Sequence, residues 1–358
     1  MRKILILLTI IVILPLFSLN SYADEAVDEY ISDFENLLPE GYEGMNDVGS
    51  MTEAAELKSL LSAIIASASG GRGDIGRFFL LLVGVVALTS LASFSGGRLS
   101  YTVEPLVGVI CSVSVFYALR PIIDMVRDGI DRLGKFFSSL IPIMAGITAL
   151  GGGSSTATVQ AGGMYTAFAL VGGVGGEIFL TLSAFGLAAA LLSSLGGEGI
   201  SSVCRGVKGL FGWITGLFTA LITAAFSLQT LVASTADSAA MRAIKYAASG
   251  LIPVVGSTVS GAISTLASGV SYAKGVVGTG AILVIIYMAI SPLVLLLSYR
   301  LTLSLGLILA DTCGSKASSN IFTAFRYALD MTVTAYALSA LIYLFEIILF
   351  IKVGVSLL

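Results

Sequence analysis

Two acids set inside long apolar runs are the residues of this sequence best placed to do chemistry. Glu177 follows Gly175-Gly176 and precedes Ile178-Phe179-Leu180, and Glu346 lies in Leu344-Phe345-Glu346-Ile347-Ile348. A charge in hydrocarbon costs about 3 kcal/mol or more, so such an acid takes a proton, binds a cation or pairs with a base across a bundle. For Glu346 the structural role would be a pair with Lys352 or Arg326 or an intersubunit contact. For Glu177 it would be an interfacial place near a span end. A second set of candidates is backbone-based: Pro142 and Pro253, each in a Leu-Ile-Pro turn, and Gly256 after the second. Proline is tolerated in a first helical turn, so both fit plain helix starts. The sharper reading is that each opens a broken helix lining a polar path.

The residue types needed for other chemistries are missing. Histidine is absent, which removes His-based metal sites and the Ser-His and Cys-His nucleophiles. Cys111, Cys204 and Cys313 are odd in number and far apart, with neither ligand nor disulfide spacing. They read as small packing residues. No catalytic, metal or cofactor constellation is visible, so the chain is expected not to be an enzyme and to carry no cofactor. A net charge of −3 without a basic run gives no reason to expect nucleic acid.

The elements that position these residues are dictated by solvent. The chain is 56% hydrophobic and 11% charged, against roughly 25% charged in soluble domains, so lipid must surround much of its surface. Arg2-Lys3, an apolar run from Ile4 to Leu16 and Ser21-Tyr22-Ala23 form a secretory signal pattern over 1–23, with the mature chain starting at Asp24 on the extracytoplasmic side. Residues 24–73 form an acidic exported segment. Val27, Tyr30, Ile31, Phe34, Leu37 and Leu38 recur at helical spacing, predicting an amphipathic helix over 25–38 that ends before Pro39. A second helix fits 52–65. The segment suits either a solvated linker or a docking surface for another exported domain.

Residues 74–358 read as an all-α, polytopic transmembrane helical bundle of six to eight spans. The candidates are 78–95, 103–119, 139–171 (with a polar break after 150), 174–195, 207–233, 251–273, 279–299 and 331–351, with 301–310 too short to span alone. Gly172 and Gly176, and Gly212 and Gly216, have the spacing that lets helices approach closely. Between spans, Ile122, Val126, Ile130, Leu133 and Phe137 make one stripe of 120–137, opposite Asp124, Arg127, Asp128, Asp131, Arg132 and Lys135. This predicts an interfacial helix with i,i+4 pairs Asp128–Arg132 and Asp131–Lys135. A weaker amphipathic helix fits 235–249. The two Leu-Ile-Pro turns lie 111 residues apart, each after an amphipathic helix and before a small-residue stretch. They suggest an internal repeat of inverted type, the plan common in secondary transporters. Chance similarity in low-complexity membrane sequence explains them as well. Taking 139–171 as one span puts Arg242, Lys245, Arg300, Lys316 and Arg326 inside.

Leu251-Ile252-Pro253-Val254-Val255-Gly256, with Tyr272-Ala273-Lys274-Gly275-Val276-Val277-Gly278 downstream, resembles the hallmark of the stage III sporulation protein AE family of endospore-forming Firmicutes. The overall layout is similar as well, from the signal and acidic segment to the hydrophobic C-terminal half. One departure stands out: the family pattern has acids soon after the motif, and here Ser257, Ser260 and Ser264 stand there. The resemblance implies a multi-pass component of the sporulation channel, a secretion-like complex between mother cell and forespore. Its implied place is the mother-cell membrane surrounding the forespore. The implied partners are the other stage III sporulation A-operon membrane proteins and their ATPase, besides the lipid bilayer; a homo-oligomer is compatible with this. The alternative reading is an autonomous secondary transporter or permease using an intramembrane carboxylate.

Overall fold

A computed structural model describes residues 29–38, 72–94, 100–150, 154–192, 198–251 and 256–355. The signal pattern, most of the acidic segment with its proposed second helix, and Pro253 lie outside the described residues. The described residues are 97% helical, without a strand. We number the helices α1 Arg72–Phe94, α2 Ser100–Leu150, α3 Ser154–Leu170, α4 Leu180–Leu192, α5 Glu198–Leu251, α6 Gly256–Thr312 and α7 Lys316–Val355. A π-helical stretch, Val171–Phe179, joins α3 to α4 in one rod. Six of these units are long and apolar enough to cross a membrane.

The helices are longer and fewer than the apolar runs suggest. The span 103–119, the expected interfacial helix and Pro142 all fall within α2, whose 51 residues make a helix about 77 Å long at 1.5 Å per residue. Pro142 is therefore an interior residue of α2 and opens no helix. Proline costs roughly 3 kcal/mol inside a helix, but Leu140, Ile141, Ile143, Met144 and Ile147 around it are buried, and that packing holds the helix together. The polar break after 150 is where α2 ends, so 139–171 is not one span. The glycine run 172–176 ends nothing: it is the π-helical joint. Likewise 235–249 is part of α5, and 279–299 and 301–310 both lie in α6, which begins at Gly256.

Contacts along α7 fix the directions of α2 to α6. α2 runs parallel to it, since Gly129 lies against Tyr336 and Gly134 against Tyr343. α5 is also parallel, with Lys208 at Asp330 and Gln229 at Glu346. α6 is antiparallel, through Arg300–Asp330 and Gly278 against Ile351. The tight reversal between α6 and α7 uses Gly314 at φ 69°, a left-handed conformation that glycine adopts without strain. The α3–α4 rod is antiparallel too, through Gly175 at Ser339 and Gly186 at Met331. Because α2 and α5 point the same way, the repeat expected from the Leu-Ile-Pro turns is not inverted. The first turn lies inside a helix; of the second, residues 252–255 lie outside the described residues.

Close approach uses other glycines than the spaced pairs. A Cβ added at Gly172, Gly212 or Gly216 would meet nothing within 4 Å, whereas at Gly129 it would come within 2.8 Å of the Tyr336 ring, and at Gly186, Gly278 and Gly306 it would also collide with a neighbouring side chain. At the α3 end of α2, residues 29–35 form a short helix. Phe34 is fully buried in the common core, and the Tyr30 ring occupies the space beside Gly146. Glu29, Asp33 and Glu35 stay exposed. Of the expected amphipathic helix over 25–38, residues 29–35 are helical, 36–38 turn away and 25–28 lie outside the described residues; its apolar face packs on the bundle and its acids are left outward.

Replacing Gly129 by Leu is expected to lower thermal stability in detergent by about 1–3 kcal/mol through overpacking against Tyr336, while Gly212→Leu leaves it unchanged. Equal effects in a thermal-aggregation assay would contradict this packing.

Candidate functional site

The chain contains two glutamines, Gln160 and Gln229, and both lie in the interior polar region that holds Glu346. Glu346 on α7 is 1% exposed. Its Oε1 accepts a 2.7 Å hydrogen bond from Nε2 of Gln229 on α5, and its Oε2 is buried with no partner among the described residues. On the far side of Gln229, Gly163 of α3 leaves room for the amide: a Cβ there would overlap it. One turn earlier, buried Gln160 accepts from Thr148 of α2 at 3.0 Å, and its Nε2 has no partner among the described residues. A cavity of about 160 Å³ opens beside Gln229 between α3 and α5, lined by Val159, Thr166, Leu170 and Phe226 among others. Phe226 stacks on Phe345 at 5.4 Å and covers the neighbouring face.

An acid surrounded by apolar side chains is tolerable when a donor meets it. Gln229 supplies that donor, so the anticipated pairing with Lys352 or Arg326 is not the contact that forms. Of Glu346, Gln160 and Gln229, only Gln229 lines the small cavity. What remains without partners among the described residues is the amide N–H₂ of Gln160 and one carboxyl oxygen of Glu346. Such a group can exchange a proton or hold a small cation. It equally ties α5 to α7 as a structural bond between helices.

The other expected site residues are placed differently. Glu177 is exposed within the π-helical stretch, two turns of α7 away from Glu346 by the Gly175–Ser339 contact, so the two acids do not share a site. Pro142 is exposed on α2. Gly256 begins α6. Cys111 and Cys204 are buried as packing residues, but Cys313 is exposed at the α6–α7 reversal.

Two further polar contacts were not read from the sequence. Asp330 accepts from Arg300 Nε at 2.6 Å and pairs with Lys208 at 3.4 Å, and Lys208 also lies 4.2 Å from the centre of the Tyr327 ring. This half-buried cluster joins α5, α6 and α7. The hydroxyls of Thr89, Ser315 and Ser318 bond to one another and fasten α1 to the α6–α7 reversal. Gln160 and Gln229 are conspicuous in sequence, since an amide stands out in an apolar run as a charge does and this chain has only two, but what each meets lies on another helix and does not show in a local pattern.

A family model described as stage III sporulation protein AE matches residues 57–356. The matched region takes in all seven helices and begins just after Glu56, the last residue of the acid-only stretch. Neither a curated protein nor a solved structure matches.

A double-mutant cycle of Glu346→Leu and Gln229→Leu in detergent or bicelles is expected to give a coupling of about 1 kcal/mol, the size of an interhelical hydrogen bond in membrane proteins. Strict additivity would mean that the contact is not made in the folded protein.

Proposed function

This chain belongs to the stage III sporulation protein AE family, and from that premise we propose that it is a non-catalytic membrane component of a channel-like complex joining mother cell and forespore. The family gives it a role in stage III of sporulation, and its six apolar helices make it a membrane protein. The observation that carries the finer reading is the union of the two: the family match, 57–356, runs over all of α1 to α7. In this reading the other membrane proteins of the stage III A operon and their ATPase are its partners. It sits in the mother-cell membrane that surrounds the forespore.

Orientation follows from two ends of the bundle. The exported segment packs beside Gly146 at one end of α2. Arg205, Lys208, Arg300, Lys316 and Arg326 belong to the opposite half, toward the α6–α7 reversal, which the positive-inside rule assigns to the cytoplasm; Arg242 and Lys245, expected on the same side as Arg300, instead follow Gln229 along α5 toward the Gly146 end. With the signal pattern cleaved after Ala23, the acids Glu29, Asp33 and Glu35 would face the space between the two membranes. There they offer a basic exported domain a surface whose attraction weakens with salt.

A second reading, a secondary transporter, is favoured by one observation, the half-satisfied carboxyl of Glu346. The two readings separate on a single substitution. Glu346→Gln preserves a hydrogen-bonding partner for Gln229 but removes the ionisable group. The channel-component reading expects spore yield within about twofold of wild type and co-purification with the stage III A membrane proteins and ATPase from sporulating cells; near-total loss of spores at normal protein level, or purification without those partners, contradicts it.

A further inference from the structure

The charged face of α2 is at the wrong height for lipid. Asp124, Arg127, Asp128, Asp131, Arg132 and Lys135 are all exposed, while the opposite face, Ile122, Val126, Ile130, Leu133 and Phe137, is buried in the bundle. The apolar stripe therefore packs on protein, and α2 is not an interfacial helix lying against headgroups. Gly129 against Tyr336, Gly134 against Tyr343 and Phe168, and Phe137 stacked on Tyr343 at 4.4 Å set its height. They align the charged face with residues 331–345 of α7, a stretch without a charge. Elsewhere on the bundle surface at this height stand Leu341, 59% exposed, and Leu221, 61% exposed. Leu221 is placed there by the Lys208–Asp330 and Gln229–Glu346 contacts on either side of it. Glu177 is also exposed at this level, and Asp74 and Arg77 of α1 are exposed near the lower end of the charged face, beside Pro121 and Met125 of α2. One side of the molecule thus suits hydrocarbon, and the α2 side does not.

We propose that α2 is the surface through which copies of this chain associate in the membrane, the charged faces of neighbouring copies meeting around an axis along the bilayer normal. Copies inserted in one membrane share an orientation, so a closed assembly has its axis along the normal. The face carries three acids and three bases over 124–135, about 17 Å of helix, and its order is self-complementary. Arg127 and Asp128 are adjacent in height, as are Asp131 and Arg132. A rotated copy at the same level brings each base near the other's acid. The expected intrahelical pairs do not use these charges up, because neither Asp128–Arg132 nor Asp131–Lys135 closes within 4 Å; the ion pairs among the described residues lie elsewhere. Six unpartnered charges facing lipid would be prohibitive at about 3 kcal/mol each. Facing like stripes, with water at the axis, they are paired or hydrated. The inference needs only the membrane setting and stands whether or not the chain works in a sporulation channel.

Site-directed cross-linking tests it. Cys111, Cys204 and Cys313 are replaced by Ser, and one cysteine is introduced by Asp128→Cys, Asp131→Cys or Leu341→Cys. Oxidation in native membranes with copper phenanthroline is expected to give a dimer-sized band of this chain for the two α2 positions and none for Leu341→Cys. With the reporter at 131, Asp128→Arg should lower the yield at least about tenfold through like-charge contact, and adding Arg127→Asp should restore it. The unmodified protein, extracted with its lipid in polymer-bounded discs, should have the mass of two or more copies. Monomeric mass, cross-linking through Leu341→Cys alone, or capture of a different protein by the α2 cysteines each overturns the proposal.

Discussion

The contact of α2 with α7 through Gly129 and Gly134 sets the height of the charged face of α2 against the rest of the bundle. The two glycines remove the side chains that would hold the helices apart, and Tyr336 and Tyr343 fill the space. Tyr343 then stacks on Phe137, and Tyr336 reaches across to the Met288 carbonyl of α6. With the register of α2 on α7 set, the charged face of α2 lies beside the uncharged middle of α7. The same α7 carries Asp330 below that level and Glu346 above it, and these two acids hold α5 and α6 in place.

A membrane interior makes the partners of such acids more informative than the acids themselves. Asp330 is matched by two bases and is half-buried. That arrangement fits an anchor in the half of the bundle that carries most of its bases. Glu346 is matched by one amide and retains an unpartnered oxygen. Hydrogen bonds between helices in lipid contribute about 1 kcal/mol or less, so the Gln229 contact specifies register more than it stabilises. The burial of Phe34 shows that the acidic N-terminal segment is also fastened to the bundle. Its acids can therefore be presented from a fixed platform at one end of α2.

The apolar runs revealed the class of fold, the presence of Glu346 in a span and the two-faced character of 120–137. What they concealed follows from the physics of packing. A run of about 20 apolar residues marks a span when lipid ends where the run ends, but α2 and α6 continue because protein neighbours cover them past that limit. Pro142 looked like a helix start because its local cost is visible in sequence and the compensating burial of Ile141 and Met144 is not. Spacing of glycines pointed to Gly212 and Gly216, which face open space. The glycines that matter are defined by a tyrosine or an isoleucine on another helix, information that a local pattern lacks. Gln229 was missed for a related reason: its role exists only opposite Glu346, 117 residues later.

The account stands on the height of the charged face of α2 within the bilayer. Spin labels attached in place of Asp131 and Leu341, in protein reconstituted into lipid bilayers, measure that height through collision with oxygen, which concentrates in hydrocarbon, and with a water-soluble nickel complex. The structure predicts equal distance from the fluorescently or magnetically marked headgroup plane for both labels, with the label at 131 reached by nickel and the label at 341 reached by oxygen. A label at 131 that lies among the headgroups while 341 lies near the bilayer centre would contradict it.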